Sequence, residues 1–172
     1  MAYRSVEIAN EFLSQPGAAS QLTQMQLQKL TYLANGWNWA INGERLVADP
    51  VEAWDYGPVY RDLYDHTKYF GRQPLRRLIS SDDGEAACFF GAKDGRGEPY
   101  RASLNDREKA VIAQVWKRYG NMSGAQLSAI THMRDTPWFT TYTTQGKSAE
   151  IDQAIIHRHY DLLADRAQQN AA

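Results

Sequence analysis

The chain has 172 residues, 43% of them hydrophobic, which suits one compact domain and leaves too little for two independent cores. Lys plus Arg number 19 against 20 Asp plus Glu, a net charge of -1, so no overall field draws in nucleic acid or an anionic membrane. The lone cysteine, Cys88, excludes an internal disulfide, MAYRSVEIANEF lacks the regions of a signal peptide, and no apolar run approaches the ~20 residues that span a bilayer. A cytoplasmic protein is expected, one domain over residues 1–167 with a flexible tail over 168–172.

Ser5 is placed to cap a first helix over about 6–15, whose Val6, Ala9 and Leu13 share a face that Ile8 and Phe12 widen, until Pro16-Gly17 stops it. Thr23 and Gln26 have capping-box spacing at the start of a long helix in which Leu27, Leu30, Ala34, Trp37 and Ile41 recur at steps of three and four. Asn42-Gly43 ends it after about five turns, and a helix of that length in a small domain is expected to be the central one. RLVADPVEAW reads as extended connector around Pro50. Gly57 precedes a proline and Pro58 suits a first helical position, so the next helix is predicted over 58–70, with Val59, Leu63, His66 and Phe70 inward.

Residues 72–104 carry short apolar runs punctuated by Asp-Gly, Gly-Arg-Gly and Pro, which predicts a small β-hairpin. Asn105 and Glu108 then box a helix over 106–119, and Ser123 and Gln126 box a short one over 124–133. A brief turn starts at Pro137. Ser148 caps a last helix to about 167, with Ile151, Ile155, Ile156, His159, Leu162 and Leu163 on its apolar side. The predicted fold is mainly α: a compact helical domain around a long central helix, with a small β-hairpin insertion.

Chemistry-bearing patterns are sparse. A helix-borne metal site needs ligands three or four residues apart, whereas His157 and His159 are two apart, and His66 and His132 have only ordinary aspartates nearby. No metal, cofactor or catalytic residue is assigned. Cys88, in AACFF, reads as a buried inert thiol, and GAKDGRG lacks the Gly-Lys-Ser/Thr of a phosphate loop. Arg72, Arg76 and Arg77 suffice for a local phosphate contact, but no basic stripe continues them. A small hydrolase or transferase built on His132 or Cys88, and a DNA-binding autoregulator using the three arginines, stand as alternatives.

The aromatic residues are more telling. Trp37 fits the buried stripe of the central helix, while Trp39 lies about 200° around it and reaches a second surface. In EAWDYGPVYRDLY, Trp54 and Tyr56 alternate on extended chain, and Tyr60 and Tyr64 share a predicted helix face away from Leu63. Such a corner serves either core packing or partner docking.

LQKLTYLANGWNWAINGERL followed by PVEAWDYGPVYRDLYDHTKYFG, and later MSGAQLSAITHMRDTPW, resembles the Panacea domain of bacterial and phage antitoxins, including SocA-type and GepA-like members. The likeness spans about residues 5–165 and is weakest over 72–104. The matching positions are Leu27, Lys29, Leu30, Gly36, Trp37, Glu52, Ala53, Trp54, Tyr56, Gly57, Pro58, Val59, Leu127, Ser128, Thr131, His132, Pro137 and Trp138. The resemblance implies a mainly helical protein that neutralises a toxin encoded beside it by binding the toxin. Read together with the aromatic residues, it leads to the expectation of a non-enzymatic antitoxin with Trp39, Trp54, Tyr56 and Tyr60 as the partner-binding anchors. In SocA-type members it further implies an adaptor that hands the toxin to the ClpXP protease. It implies fold-defining roles for many motif positions, with Thr131 and His132 tying a helix end to neighbouring backbone. The chain departs from the family's aromatic-rich opening at Thr31 and Asn38.

Overall fold

The structure, a computed structural model, describes residues 1–84 and 97–172. Its elements are α1 (Ser5–Leu13), α2 (Gln24–Asn42), β1 (Val51–Trp54), β2 (Gly57–Tyr60), α3 (Arg61–Thr67), α4 (Asp106–Tyr119), α5 (Gly124–Thr131), α6 (Pro137–Gln145) and α7 (Gln153–Ala171), with 3-10 turns at Lys68–Phe70 and Ser81–Asp83. The fold is mainly helical with a small antiparallel sheet, as the sequence predicts. The three expected capping boxes form at Thr23, Asn105 and Ser123, each side chain accepting the N–H three residues on. Among the described residues no helix is long and apolar enough to cross a membrane.

α2 is the axis of the domain, packed by α1, α4, α5, α7 and β2. Leu27, Leu30, Leu33 and Ala34 are buried along it. Trp37 is half-buried, edge-on to Tyr160 at 5.5 Å, and donates its indole N–H to the Tyr119 hydroxyl at 3.3 Å. Ile41, expected inward, is 59% exposed, because α2 outruns the core at its C-terminal end. Gly36 lets α7 come close: a Cβ there would lie 2.3 Å from the Tyr160 ring.

A second, polar stripe of α2 is buried as well. Asn35 Oδ1 accepts from the Leu46 and Val47 N–H groups, both at 2.9 Å, and Asn38 Nδ2 donates to the Glu44 carbonyl at 2.7 Å. On α1, Asn10 Nδ2 donates to the carbonyls of Ile79 and Tyr100 and its Oδ1 accepts from Ile79 N. These side chains satisfy the backbone of irregular segments that have no ladder partner of their own.

Several expectations need correction. Helix does not begin at Pro58. Residues 57–60 form β2, antiparallel to β1 with Ala53 opposite Pro58, and α3 starts at Arg61. The Ala53 N–H and carbonyl both point to the other side of β1, to Ala149 and Ser148, so the missing proline N–H costs no ladder bond. The segment 148–151 therefore runs beside β1 as a third extended strip, which is why Ser148 caps nothing. Asp152 caps α7 instead, accepting from Ala154 N at 2.8 Å.

α7 continues to Ala171 through the expected tail, and Tyr160 rather than the exposed Leu162 occupies the middle of its inward face. Ser5 is the first residue of α1 rather than its cap, its hydroxyl bonded to Asp49. α5 stops at Thr131, and the brief turn expected at Pro137 is a nine-residue helix capped by Thr136. The hairpin expected over 72–104 has its middle, residues 85–96 with Cys88, outside the described residues; at its flanks Ser80 bridges Pro99 antiparallel.

Candidate functional site: a clamped hairpin turn

β1 and β2 are joined by Asp55-Tyr56, and the left-handed step that closes the turn falls on Gly57, at φ +110°. A Cβ on Gly57 would stand 2.7 Å from Lys29 Cε and 2.9 Å from Thr131 Oγ1, so the turn sits directly on α2 and α5.

The backbone of this turn is held by side chains from three helices. The Trp54 carbonyl accepts the Trp138 indole N–H at 2.7 Å, from α6. The Asp55 carbonyl faces His132 Nε2 at 3.1 Å, and the Tyr56 carbonyl accepts from Ser128 Oγ at 3.1 Å, both at α5. The Pro58 carbonyl accepts from Lys29 Nζ at 3.1 Å, from α2. Two residues on, Gln28 behaves as a surrogate strand: its Oε1 accepts from Tyr60 N at 2.9 Å and its Nε2 donates to the Tyr60 carbonyl at 3.0 Å. The exposed edge of β2 is thereby closed by the polar face of α2.

The Asp55 carboxylate accepts from Lys147 Nζ at 2.7 Å and the Tyr142 hydroxyl at 2.8 Å, which holds it below the usual carboxylate range, Lys147 first. The Trp138 ring stacks on Tyr142 with centroids 4.7 Å apart and meets His132 on a 50° tilt at 3.9 Å. With its main chain so fixed, the turn points one large side chain at solvent: Tyr56 is 70% exposed. Met133, next after His132, is 62% exposed. Trp54 is half-buried, its indole N–H donating to Glu52 Oε2 at 2.7 Å, its ring edge-on to Tyr64 at 4.8 Å and flanked by Arg61.

The motif positions thus divide into two groups. Lys29, Gly57, Pro58, Ser128, Thr131, His132 and Trp138 meet at the turn, with Glu52 beside it and Pro137 opening the helix that carries Trp138. Thr131 Oγ1 donates to the Ser128 carbonyl at 2.9 Å and His132 Nδ1 faces that same oxygen at 2.5 Å, so both groups do tie the helix end to backbone. Leu27, Leu30, Gly36 and Trp37 belong to the packing of α2.

Of the four expected anchors, Trp54 and Tyr56 lie at the turn. Tyr60 is 0% exposed and offers a partner no surface, because β2 lays its ring into the core. Trp39 stacks on His157 of α7 at 4.7 Å, ten residues or ~15 Å along α2 from Lys29. Gln28, Tyr142 and Lys147 escaped sequence reasoning; only the Gln28-Lys29 pair, polar within an apolar stripe, carried a signal.

Lys29 is 1% exposed, and burial lowers its amine to about 7. Between that value and the 10.5 of free lysine the unfolded chain binds a proton that the folded chain does not, so stability rises with pH across this window and is flat below it. The rise ends near pH ~10, where unfolded tyrosines ionise while burial keeps Tyr32, Tyr60 and Tyr160 protonated. Urea unfolding of wild type should show an increase of up to ~1.4 kcal/mol per pH unit between about 7 and 10, and Lys29→Met should remove it. An equal slope in the variant would show that Lys29 is not the titrating group.

Both ring nitrogens of His132 are occupied by backbone carbonyls, which leaves neither for acid-base chemistry on a substrate. Among the described residues no His, Cys, Asp or Glu cluster could hold a metal ion. Arg77 is bound by two hydrogen bonds, 2.6 and 2.7 Å, to Asp83, while Arg72 and Arg76 are exposed.

The family model for the SocA-like antitoxin, Panacea domain, matches residues 27–139, a span that holds Lys29, the whole turn and the Ser128, His132 and Trp138 side chains that clamp it. Over 161 residues the chain is 26% identical to Antitoxin SocA of Caulobacter vibrioides (strain NA1000 / CB15N), covering 92% of this chain and 79% of that protein. No solved structure matches the chain. The chain belongs to the SocA-like antitoxin family, and the clamped turn lies within its Panacea domain.

Proposed function

We propose that this protein acts in the cytoplasm as a non-enzymatic antitoxin that neutralises a protein toxin by binding it, through the surface around Tyr56. The observation that carries the reading is a 70% exposed tyrosine on a turn whose carbonyls are already satisfied by the protein itself. A rigid aromatic gives up little conformational entropy on docking, and aromatic anchors supply most of the affinity at interface centres. Trp54 precedes the same turn and the exposed Met133 follows the clamping His132; Trp39 is a separate contact farther along α2. In the adaptor form of this reading, the complex also delivers the toxin to ClpXP.

Co-expression with the adjacent reading frame tests it. That frame alone should arrest growth, and this chain should restore it; a harmless neighbour, or one that stays toxic, overturns the reading. A toxin half-life shortened only when this chain and ClpXP are both present identifies the adaptor, whereas an unchanged half-life identifies sequestration.

A further inference from the structure

The extended strip beside β1 leaves one edge of the small sheet uncovered. Glu150, in the strip, stands directly opposite Glu52 of β1. The bonds on either side of this pair, from Ala53 N to the Ala149 carbonyl and from Ile151 N to the Val51 carbonyl, are both 2.8 Å, the pattern of a non-hydrogen-bonded antiparallel pair. The N–H and carbonyl of Glu150 itself therefore point away from β1, and among the described residues neither has a backbone partner. Gln28 closes the opposite edge, at β2, but among the described residues no strand does the same for Glu150.

The side chains give this edge a charge preference. In a non-hydrogen-bonded pair the two side chains share a face at the closest cross-strand approach, so two carboxylates face each other, an unfavourable pairing. Glu52 has support from the Trp54 indole at 2.7 Å and Arg61 at 3.8 Å, and Asp55 is matched by Lys147. Glu150 and Asp152 are exposed, and among the described residues neither has an ion pair.

We infer, on the toxin-binding role proposed above, that the open edge at Glu150 takes up an extended strand of the toxin, with a lysine or arginine set against Glu150. An uncovered edge is completed by the N–H and carbonyl groups of another extended chain, and a cation at that position relieves the facing glutamates. Self-pairing about a two-fold axis at Glu150 would instead bring in a third carboxylate, so a second copy of this chain fits the edge worse. The edge also continues the Tyr56 surface: Lys147, one residue before the strip, bonds to Asp55 of the turn at 2.7 Å, so one partner can reach both.

Amide hydrogen exchange, read in nitrogen-15 spectra of the chain alone and with the adjacent-frame toxin, provides the test. In the free chain the Glu150 amide should exchange fast, and those of Ala53 and Ile151, bonded across the strips, slowly. The toxin should slow Glu150 by about tenfold or more, the worth of one new hydrogen bond, and leave the other two slow. Glu150→Lys should weaken toxin binding about tenfold with a melting temperature no lower than wild type, because the new cation faces Glu52, and Glu150→Gln should weaken it less. A Glu150 amide that stays fast in a complex still weakened by Tyr56→Ala overturns the inference and leaves Tyr56 as the toxin contact. A slowed Glu150 amide with an affinity indifferent to Tyr56→Ala keeps the edge and removes Tyr56. Slowing in the free chain that grows with its concentration means that a second copy covers the edge, which also overturns the inference. A neighbouring-frame protein that does not bind at all overturns both readings.

Discussion

Gly36→Ala is expected to cost the domain ~3 kcal/mol or more, enough to unfold much of a marginally stable protein. The added Cβ would lie 2.3 Å from Cδ2 and Cε2 of Tyr160 and 2.6 Å from Cγ, so the whole ring is in the way rather than a flexible tip. Tyr160 cannot swing aside: it is 3% exposed and wedged edge-on against Tyr32 and Trp37, at 6.1 and 5.5 Å. The remaining relief is to push α7 away from α2, which opens the main helix contact of the domain. Urea unfolding measures the loss. The double variant Gly36→Ala with Tyr160→Leu should recover part of it, because the clash partner has been trimmed. A loss below ~1 kcal/mol in the single variant would mean that α2 and α7 do not pack this closely.

Gly57→Ala is expected to damage stability and partner binding together. At φ +110° an L side chain is strained by ~1–2 kcal/mol, and the Cβ also meets Lys29 Cε at 2.7 Å and Thr131 Oγ1 at 2.9 Å. Moving Lys29 breaks its bond to the Pro58 carbonyl and leaves a buried amine without an acceptor, so the total should reach ~3 kcal/mol. Gly43 is the control, with φ +74° and open space around the missing Cβ; its alanine variant should lose only the backbone part, ~1 kcal/mol. Equal losses at the two glycines in thermal or urea unfolding would contradict the close approach of the turn to α2.

The helical frame was legible because caps and apolar spacing are local: Thr23, Asn105 and Ser123 announce their helices within four residues. β2 was not, because Gly57-Pro58 is a valid helix start by every local rule, and its strand conformation depends on Gln28 and Lys29, some thirty residues earlier, supplying what a neighbouring strand would. The start of α7 was missed for a similar reason: Ser148 is spent on pairing with Ala53. At the site, Trp54 and Tyr56 were readable as unusual aromatics, but Tyr60 looked equivalent from composition and is core. What makes Lys29, Ser128, His132 and Trp138 a unit is convergence on four carbonyls of one turn, and carbonyls leave no trace in side-chain chemistry.

The clamped turn is proposed to present Tyr56 to a toxin. Titration calorimetry of the adjacent-frame toxin against wild type and Tyr56→Ala tests this most directly. Tyr56→Ala should bind ~30-fold or more weakly, about 2 kcal/mol, with an unchanged melting temperature, since the ring is 70% exposed and the turn is held through its backbone. A dissociation constant within ~3-fold of wild type would contradict the account and move the interface elsewhere on the domain.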